Sequence, residues 1–255
     1  MPAARTASLF AQTLAALDGA RLRPSRRAGQ CFLVDPAVLG RIVAAARIVP
    51  GEPILEIGAG TGTLTEALAA AGARVTALER DRRLAALLRA RGFPAGDVVV
   101  VEADALTFDL AGWLAAVGGS AKVVANIPYQ ITSPLLLRLL DLASELAVVV
   151  LLVQREVAAR LVAQPGSKAY GALTLACHYR AEVEVVAEVP RTAFHPAPAV
   201  QSALVRLTPH ARPRVSVPDG ALLFAVIRAA FGQRRKTLRN ALLGARPLRL
   251  RPPQL

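Results

Sequence analysis

Along this chain, stretches whose apolar residues recur every three or four positions alternate with short runs that are apolar throughout. Residues 7–17 (ASLFAQTLAAL) carry the helical period and end at Asp18-Gly19, and residues 36–48 carry it again. From residue 53 a regular β–α alternation sets in. Strands are predicted at 53–57 (PILEI), 74–79 (RVTALE), 97–102 (DVVVVE), 122–126 (KVVAN) and 146–153 (LAVVVLLV). Helices are predicted at 64–71, 81–91, 133–142 and 154–163. Two further strands, near 174–187 and 200–207, lie close enough together to pair antiparallel at a sheet edge. Fully apolar strands separated by helices imply an α/β fold with a mostly parallel, doubly wound seven-stranded sheet and right-handed crossovers.

Three segments follow from this pattern. Residues 1–50 form a basic helical and loop segment, and 51–208 form the α/β domain. Residues 209–255 comprise a linker and a short basic helical region. The linker reads TPHARPRVSVP, and the helix is expected to start near Ala221 and to include FGQRRKTLRNALL. The last ten residues contain three prolines and little periodicity, so fraying is expected there.

Composition narrows the class. The 255 residues are 54% hydrophobic and 19% charged, which suits a globular chain with a sizeable core. The longest apolar run, Leu146–Val153, has eight residues, far short of the roughly 20 that cross a bilayer. No secretory leader is recognisable, and Cys31 and Cys177 form no CxxC pair, so a reduced, cytoplasmic protein is expected. His178, His195 and His210 lack metal-ligand spacing with the cysteines, and no metal site is expected.

The net charge of +13 is unevenly placed: residues 1–50 carry +5, residues 51–211 carry −1, and residues 212–255 carry +9. Only three of the 31 basic residues are lysine, which points to a coding preference for arginine. Such a preference would also have charged the middle. Basic ends around a neutral centre instead suggest a polyanion, a nucleic acid, held beside a central site. Arg23, Arg26 and Arg27 in the N-terminal segment, with Arg234, Arg235, Lys236 and Arg239 near the C-terminus, are the candidate phosphate contacts. On a continuous helix Arg235 and Arg239 would share one face.

The first chemical signal is ILEIGAGTGTLTEAL. Gly58, Gly60 and Gly62 fall where a parallel strand passes into a helix, and glycine there lets a ligand approach the backbone. The loop has no lysine and its third glycine comes one place too early for a dinucleotide fingerprint, so neither an ATP cradle nor a pyrophosphate site fits. Glu79 lies 21 residues beyond Gly58 at the end of the next strand, where a carboxylate can accept both ribose hydroxyls. Asp104 sits just past the third strand, where it can accept from an adenine amine or cap a helix. Gly, Glu and Asp at three successive strand ends describe a site for an adenosine without a pyrophosphate. S-adenosylmethionine (SAM) is such a ligand.

The second signal is Asn126-Ile127-Pro128-Tyr129, directly after the fourth strand. With GQCFLVD, EIGAGTG, VQREVAARL, AYGALT, FHPAPAVQSALVRL and FGQRRKTLRN, it makes an ordered set spanning about Gly29 to Asn240. In these motifs the chain resembles the SAM-dependent adenine N6-dimethyltransferases of small-subunit ribosomal RNA. The resemblance implies a Rossmann-like methyltransferase fold and dimethylation of two adjacent adenines near the 3′ end of 16S rRNA. It places SAM on Cys31, Leu33, Gly58, Gly60, Glu79, Asp104 and Asn126. It gives the target base to Asn126, Pro128, Tyr129 and Phe194.

The chemistry explains these residue types. Adenine's amine is a poor nucleophile because its lone pair is delocalised into the ring. The Asn126 side-chain oxygen and the Pro128 carbonyl can accept its two hydrogens and favour a pyramidal nitrogen, while Tyr129 stacks on the base. Two departures stand out. Cys31 replaces the asparagine of the family's GQNFL, and a thiol lacks an amide's paired donor and acceptor. Only 15 residues follow Asn240, where the family continues into a small helical domain. The implied partner is a small-subunit precursor particle, with no membrane, and the chain is taken as a monomer. The alternatives are a large-subunit relative that confers antibiotic resistance and an assembly factor whose catalysis is secondary. Small-molecule methylation is disfavoured by the charge map.

Overall fold

The computed structural model describes residues 7–25, 29–94, 96–233 and 235–245. Helix α1 (Leu9–Gly19) is capped by the Ser8 side chain and leads to the two-residue strand β1 (Phe32–Leu33). Helix α2 (Pro36–Ala46) starts with proline in its first turn and an Asp35 cap on two amides. The alternating core follows: β2 (Pro53–Ile57), α3 (Thr63–Ala70), β3 (Arg74–Glu79), α4 (Arg82–Arg91), β4 (Val98–Glu102), α5 (Leu110–Val117), β5 (Ala121–Asn126), α6 (Thr132–Asp141), β6 (Leu146–Gln154) and α7 (Arg155–Leu161). The chain continues through α8 (Ala172–Arg180), β7 (Ala181–Val189), β8 (Phe194–His195), β9 (Ser202–Pro209), α9 (Gly220–Gly232) and α10 (Leu238–Leu243).

The main sheet has seven strands in the order β4-β3-β2-β5-β6-β9-β7. The first five are mutually parallel, and β9 runs antiparallel to both β6 and β7. The antiparallel pair therefore closes one edge, with the reversed strand one place in. Alternation of side chains sends Leu55, Ile57, Val123 and Leu151 to one face, packed by α5, α6 and α8. Ile54, Val75, Val124 and Leu152 go to the other, packed by α2, α3 and α4. Among the described residues no helix is long and apolar enough to cross a membrane.

Three expectations need correction. Residues 174–180 are helical, because Leu173, Thr174, Ala176 and Cys177 bury at helical spacing and strand alternation begins only at Ala181. The C-terminal helix is two helices: Gln233 leaves α9 in an extended turn, and Thr237 caps α10 afresh. Arg235 lies in that break, so it does not share a helical face with Arg239. The proline-rich last ten residues, and Arg26, Arg27 and Arg234, lie outside the described residues.

Candidate functional site

The parallel register brings the carboxyl ends of β2, β3, β4 and β5 to one edge: Ile57 sits opposite Leu78 and Ala125, and Glu79 opposite Glu102. The loop after β2 turns there through Gly58, Gly60 and Gly62, at φ of +79°, +59° and +85°. A side chain at Gly60 would meet the Phe32 ring at 3.2 Å, and one at Gly58 would meet the Asn126 carbonyl at 3.3 Å. The loop is thus pressed against β1 on one side and the end of β5 on the other. Arg91 steadies it from α4, donating to the Thr61 carbonyl and pairing with Glu66.

Glu79 is buried beside this loop. One carboxylate oxygen accepts from the Gly60 amide at 2.9 Å, the other from the Asp81 amide at 2.8 Å. Burial pushes its pKa upward, while these amides and that of Arg80 oppose the shift. Each oxygen keeps acceptor capacity for a further hydroxyl. Asp104 lies past β4, accepting from the Leu106 amide at 2.9 Å and pairing with Arg80 at 3.3 Å. It turns the loop and caps no α-helix; the cap of α5 is Asp109. From α6, Arg138 holds the same loop, donating to the carbonyls of Ala105 and Phe108 at 2.6 and 2.9 Å.

Asn126 ends β5. Its side-chain nitrogen donates to the Cys31 carbonyl at 3.3 Å. A carbonyl can only accept, so this contact sets the amide's orientation and leaves Oδ1 without a hydrogen bond among the described residues. Cys31 therefore serves through its backbone, and the missing amide side chain is not needed for this bond. Its half-buried thiol has a raised pKa, from desolvation. The Pro128 carbonyl accepts from the Ile131 amide at 3.2 Å, so one of its two lone pairs is already engaged by the turn. The Tyr129 hydroxyl lies 2.6 Å from Ser202 Oγ.

A cavity of about 450 Å³ opens among these groups. Its wall includes Cys31, Leu33, Gly58, Gly60, Glu79 and Asp104. Asn126, Pro128 and Tyr129 complete it. Phe194 does not line it: the ring is 4% exposed, packed in the core where β8 pairs with β1 opposite Leu33. Arg23, Arg235, Lys236 and Arg239 are exposed and form no ion pair among the described residues.

One cavity residue escaped the sequence reading. Glu56, next to the carboxyl end of β2, is 1% exposed, and its Oε2 has no hydrogen-bond partner among the described residues. Its pKa is raised to about 8, chiefly by desolvation; the Glu79 charge adds to the rise and hydrogen bonding to Thr65 opposes it. A lone acid inside an apolar strand was the available signal. A buried acceptor on the wall of a cavity of this size, beside a side-chain-free loop and two further carboxylates, suits a ligand carrying an ammonium group and a nucleoside. SAM has both, so the residues present fit it.

The chain as a whole is similar to known proteins. A family profile described as ribosomal RNA adenine dimethylase matches residues 22–249. Ribosomal RNA small subunit methyltransferase A of Magnetococcus marinus is 48% identical over 221 residues, 87% of this chain and 79% of that protein. The protein of the same name from Moorella thermoacetica is 44% identical over 238 residues, 91% of this chain and 83% of that one. Two solved structures share the fold. A dimethyladenosine transferase from Plasmodium falciparum has a TM-score of 0.69 at 29% identity, covering 85% of this chain and 76% of that one. The 23S rRNA methyltransferase ErmE has a TM-score of 0.67 at 31% identity, covering 86% of each chain.

Proposed function

Because this chain belongs to the ribosomal RNA adenine dimethylase family, we propose that it dimethylates two adjacent adenines near the 3′ end of 16S rRNA. It is a SAM-dependent rRNA adenine N6,N6-dimethyltransferase of ribosome biogenesis. Its fold is the α/β fold of such methyltransferases. When bound, SAM supplies an electrophilic methyl group on a positively charged sulfur.

The residues that would hold it divide by chemistry. Glu79 would accept from the ribose hydroxyls and Asp104 from the adenine amine. Leu33 supplies apolar wall, and the loop at Gly58 and Gly60 allows close backbone approach. Glu56 would face the ammonium of the methionyl end. The single observation that carries the reading is the Asn126 amide, oriented by the Cys31 carbonyl at the cavity wall. Its oxygen can accept one hydrogen of a target amine, and the second lone pair of the Pro128 carbonyl the other. Holding both hydrogens localises the nitrogen lone pair before attack, so the geometry is set in advance. No strong base is needed, because the amine becomes acidic as it is alkylated.

Tyr129 would stack on the target base, which must be single-stranded or flipped out of a duplex to enter. Phe194 would form the second face only after leaving its place in the core. The basic segments 1–50 and 209–255 would hold RNA phosphates on either side of the 51–208 domain, through Arg23, Arg26, Arg27, Arg234, Arg235, Lys236 and Arg239. We place the enzyme in the cytoplasm, acting as a monomer on a small-subunit precursor particle.

The test is transfer of labelled methyl from SAM to small-subunit particles lacking the modification, with large-subunit particles in parallel. Dimethyladenosine at two neighbouring positions of the small subunit is expected. Methylation confined to the large subunit would replace this substrate by that of the ErmE-like alternative. Asn126→Ala is expected to abolish transfer and spare RNA affinity; retained activity would leave the amine without its proposed acceptor.

A further inference from the structure

Ser202 is fully buried, at 0% exposure, as the first residue of β9. Its backbone is held on both sides, opposite Gln154 of β6 and Val189 of β7. On its own face of the sheet, Val189 directly opposite and Leu204 two residues on are both nearly inaccessible. A hydroxyl placed there needs a partner. The partner is the Tyr129 hydroxyl at 2.6 Å, the one side-chain hydrogen bond that either group makes among the described residues.

The two ends of this bond differ in rigidity. Ser202 sits on a strand laddered to two neighbours. Tyr129 opens a single 3₁₀ turn, Tyr129–Ile131, held by the Ile131 amide on the Pro128 carbonyl. A short turn leaves an aromatic ring free to swing about its first two side-chain torsions, unless its far end is tied. The tie comes from β9, the strand that follows β8 and its Phe194. Tyr129 lines the cavity while its hydroxyl is anchored in the sheet.

We propose that Ser202 is a positioning residue: it fixes the plane of the Tyr129 ring and so presents a preset face to the incoming base. The inference rests on the reading that Tyr129 receives the target adenine. A preset ring lowers the ordering required when the base enters, so the effect falls on the RNA substrate and not on SAM.

The experiment compares wild type, Ser202→Ala, Tyr129→Phe and the double variant, on small-subunit particles, with SAM affinity measured by calorimetry without RNA. Ser202→Ala is expected to lower kcat/KM for RNA by roughly three- to tenfold, the equivalent of one hydrogen bond, with SAM affinity unchanged. Tyr129→Phe removes the same bond from the other end, and the double variant should be no worse than the poorer single one. Multiplying defects would mean that Ser202 acts by another route and would overturn the proposal, as would an undiminished Ser202→Ala or an equal loss of SAM affinity. If Ser202→Ala folds poorly, Tyr129→Phe, which leaves Ser202 in place, still tests the bond: an undiminished kcat/KM for RNA in that variant overturns the proposal. If wild type itself transfers no methyl to these particles, the underlying reading falls and this one with it. A failure confined to the variants' pattern refutes Ser202 alone.

Discussion

Glu56 makes the protein's stability depend on pH in a direction unusual for a carboxylic acid. Its pKa in the folded state is raised from 4.5 to about 8, chiefly by complete desolvation. A group whose folded value is raised contributes fully below its unfolded pKa, and that contribution disappears as pH rises through the folded one. The window is therefore pH 4.5 to 8. At about 1.36 kcal/mol per pH unit, the whole span is worth about 5 kcal/mol, of which about 3 kcal/mol is already lost at pH 7. Set against a typical domain stability of about 5–15 kcal/mol, this is a large share. Glu56→Gln removes the titration. An amide in the same place adds a constant penalty for its own buried hydrogens, but no slope. Urea unfolding of both proteins between pH 5 and 9 isolates the effect, because every group except Glu79, whose charge couples to Glu56, titrates alike in the two. The stability of wild type relative to the variant should fall across this range and level off above pH 8. A difference independent of pH would mean that the carboxyl is hydrated or already ionised, and the argument from burial would fail.

Three other perturbations probe the scaffold. Gly60→Ala forces a side chain into positive φ and against the Phe32 ring, so SAM affinity by calorimetry should drop at least about tenfold while the melting temperature falls only modestly. Arg138→Ala removes both donors from the loop after Asp104; SAM affinity should weaken by about three- to thirtyfold, with RNA binding unchanged in a filter assay. Cys31→Ala should keep kcat within about twofold, because the bond to Asn126 uses the backbone carbonyl; a large loss would give the thiol itself a role.

Much of the cofactor side was readable because it is local. Each parallel strand announced itself by an apolar run, and parallel register aligns the ends of such runs. Gly58, Glu79 and Asp104 could therefore be placed on one edge before any coordinates. Residues 174–180 misled for a local reason too. Their apolar positions lead directly into the alternating run from Ala181, with no glycine or proline between helix and strand. The rest depends on pairs distant in sequence. β1 meets β8 across some 160 residues through only two residues each, too short a pattern to register. Ser202 and Tyr129 are 73 residues apart, and nothing in either neighbourhood encodes the bond. The motif carrying Phe194 pointed to the base, but the structure keeps the ring inside the core.

The strand order explains why the two halves of the proposed site would meet at Asn126. From β2 the chain winds outward through β3 to β4, then crosses back to lay β5 on the opposite side of β2. The crevice at such a reversal is where open α/β sheets bind ligands. Here one flank, the ends of β2, β3 and β4, carries Glu56, Glu79 and Asp104. The other, the turn after β5 with the start of β9, carries Pro128, Tyr129 and Ser202. The flanks touch where Gly58 lies against the Asn126 carbonyl, closely enough that a side chain at Gly58 would come within 3.3 Å of it. Methyl donor and acceptor must approach across that seam. On the proposed assignment, a residue holding the amine from the seam would also border the donor, so Asn126 would belong to both halves of the site. On that assignment the lack of a side chain at Gly58 would be required by the reaction's geometry as well as by the loop's own conformation.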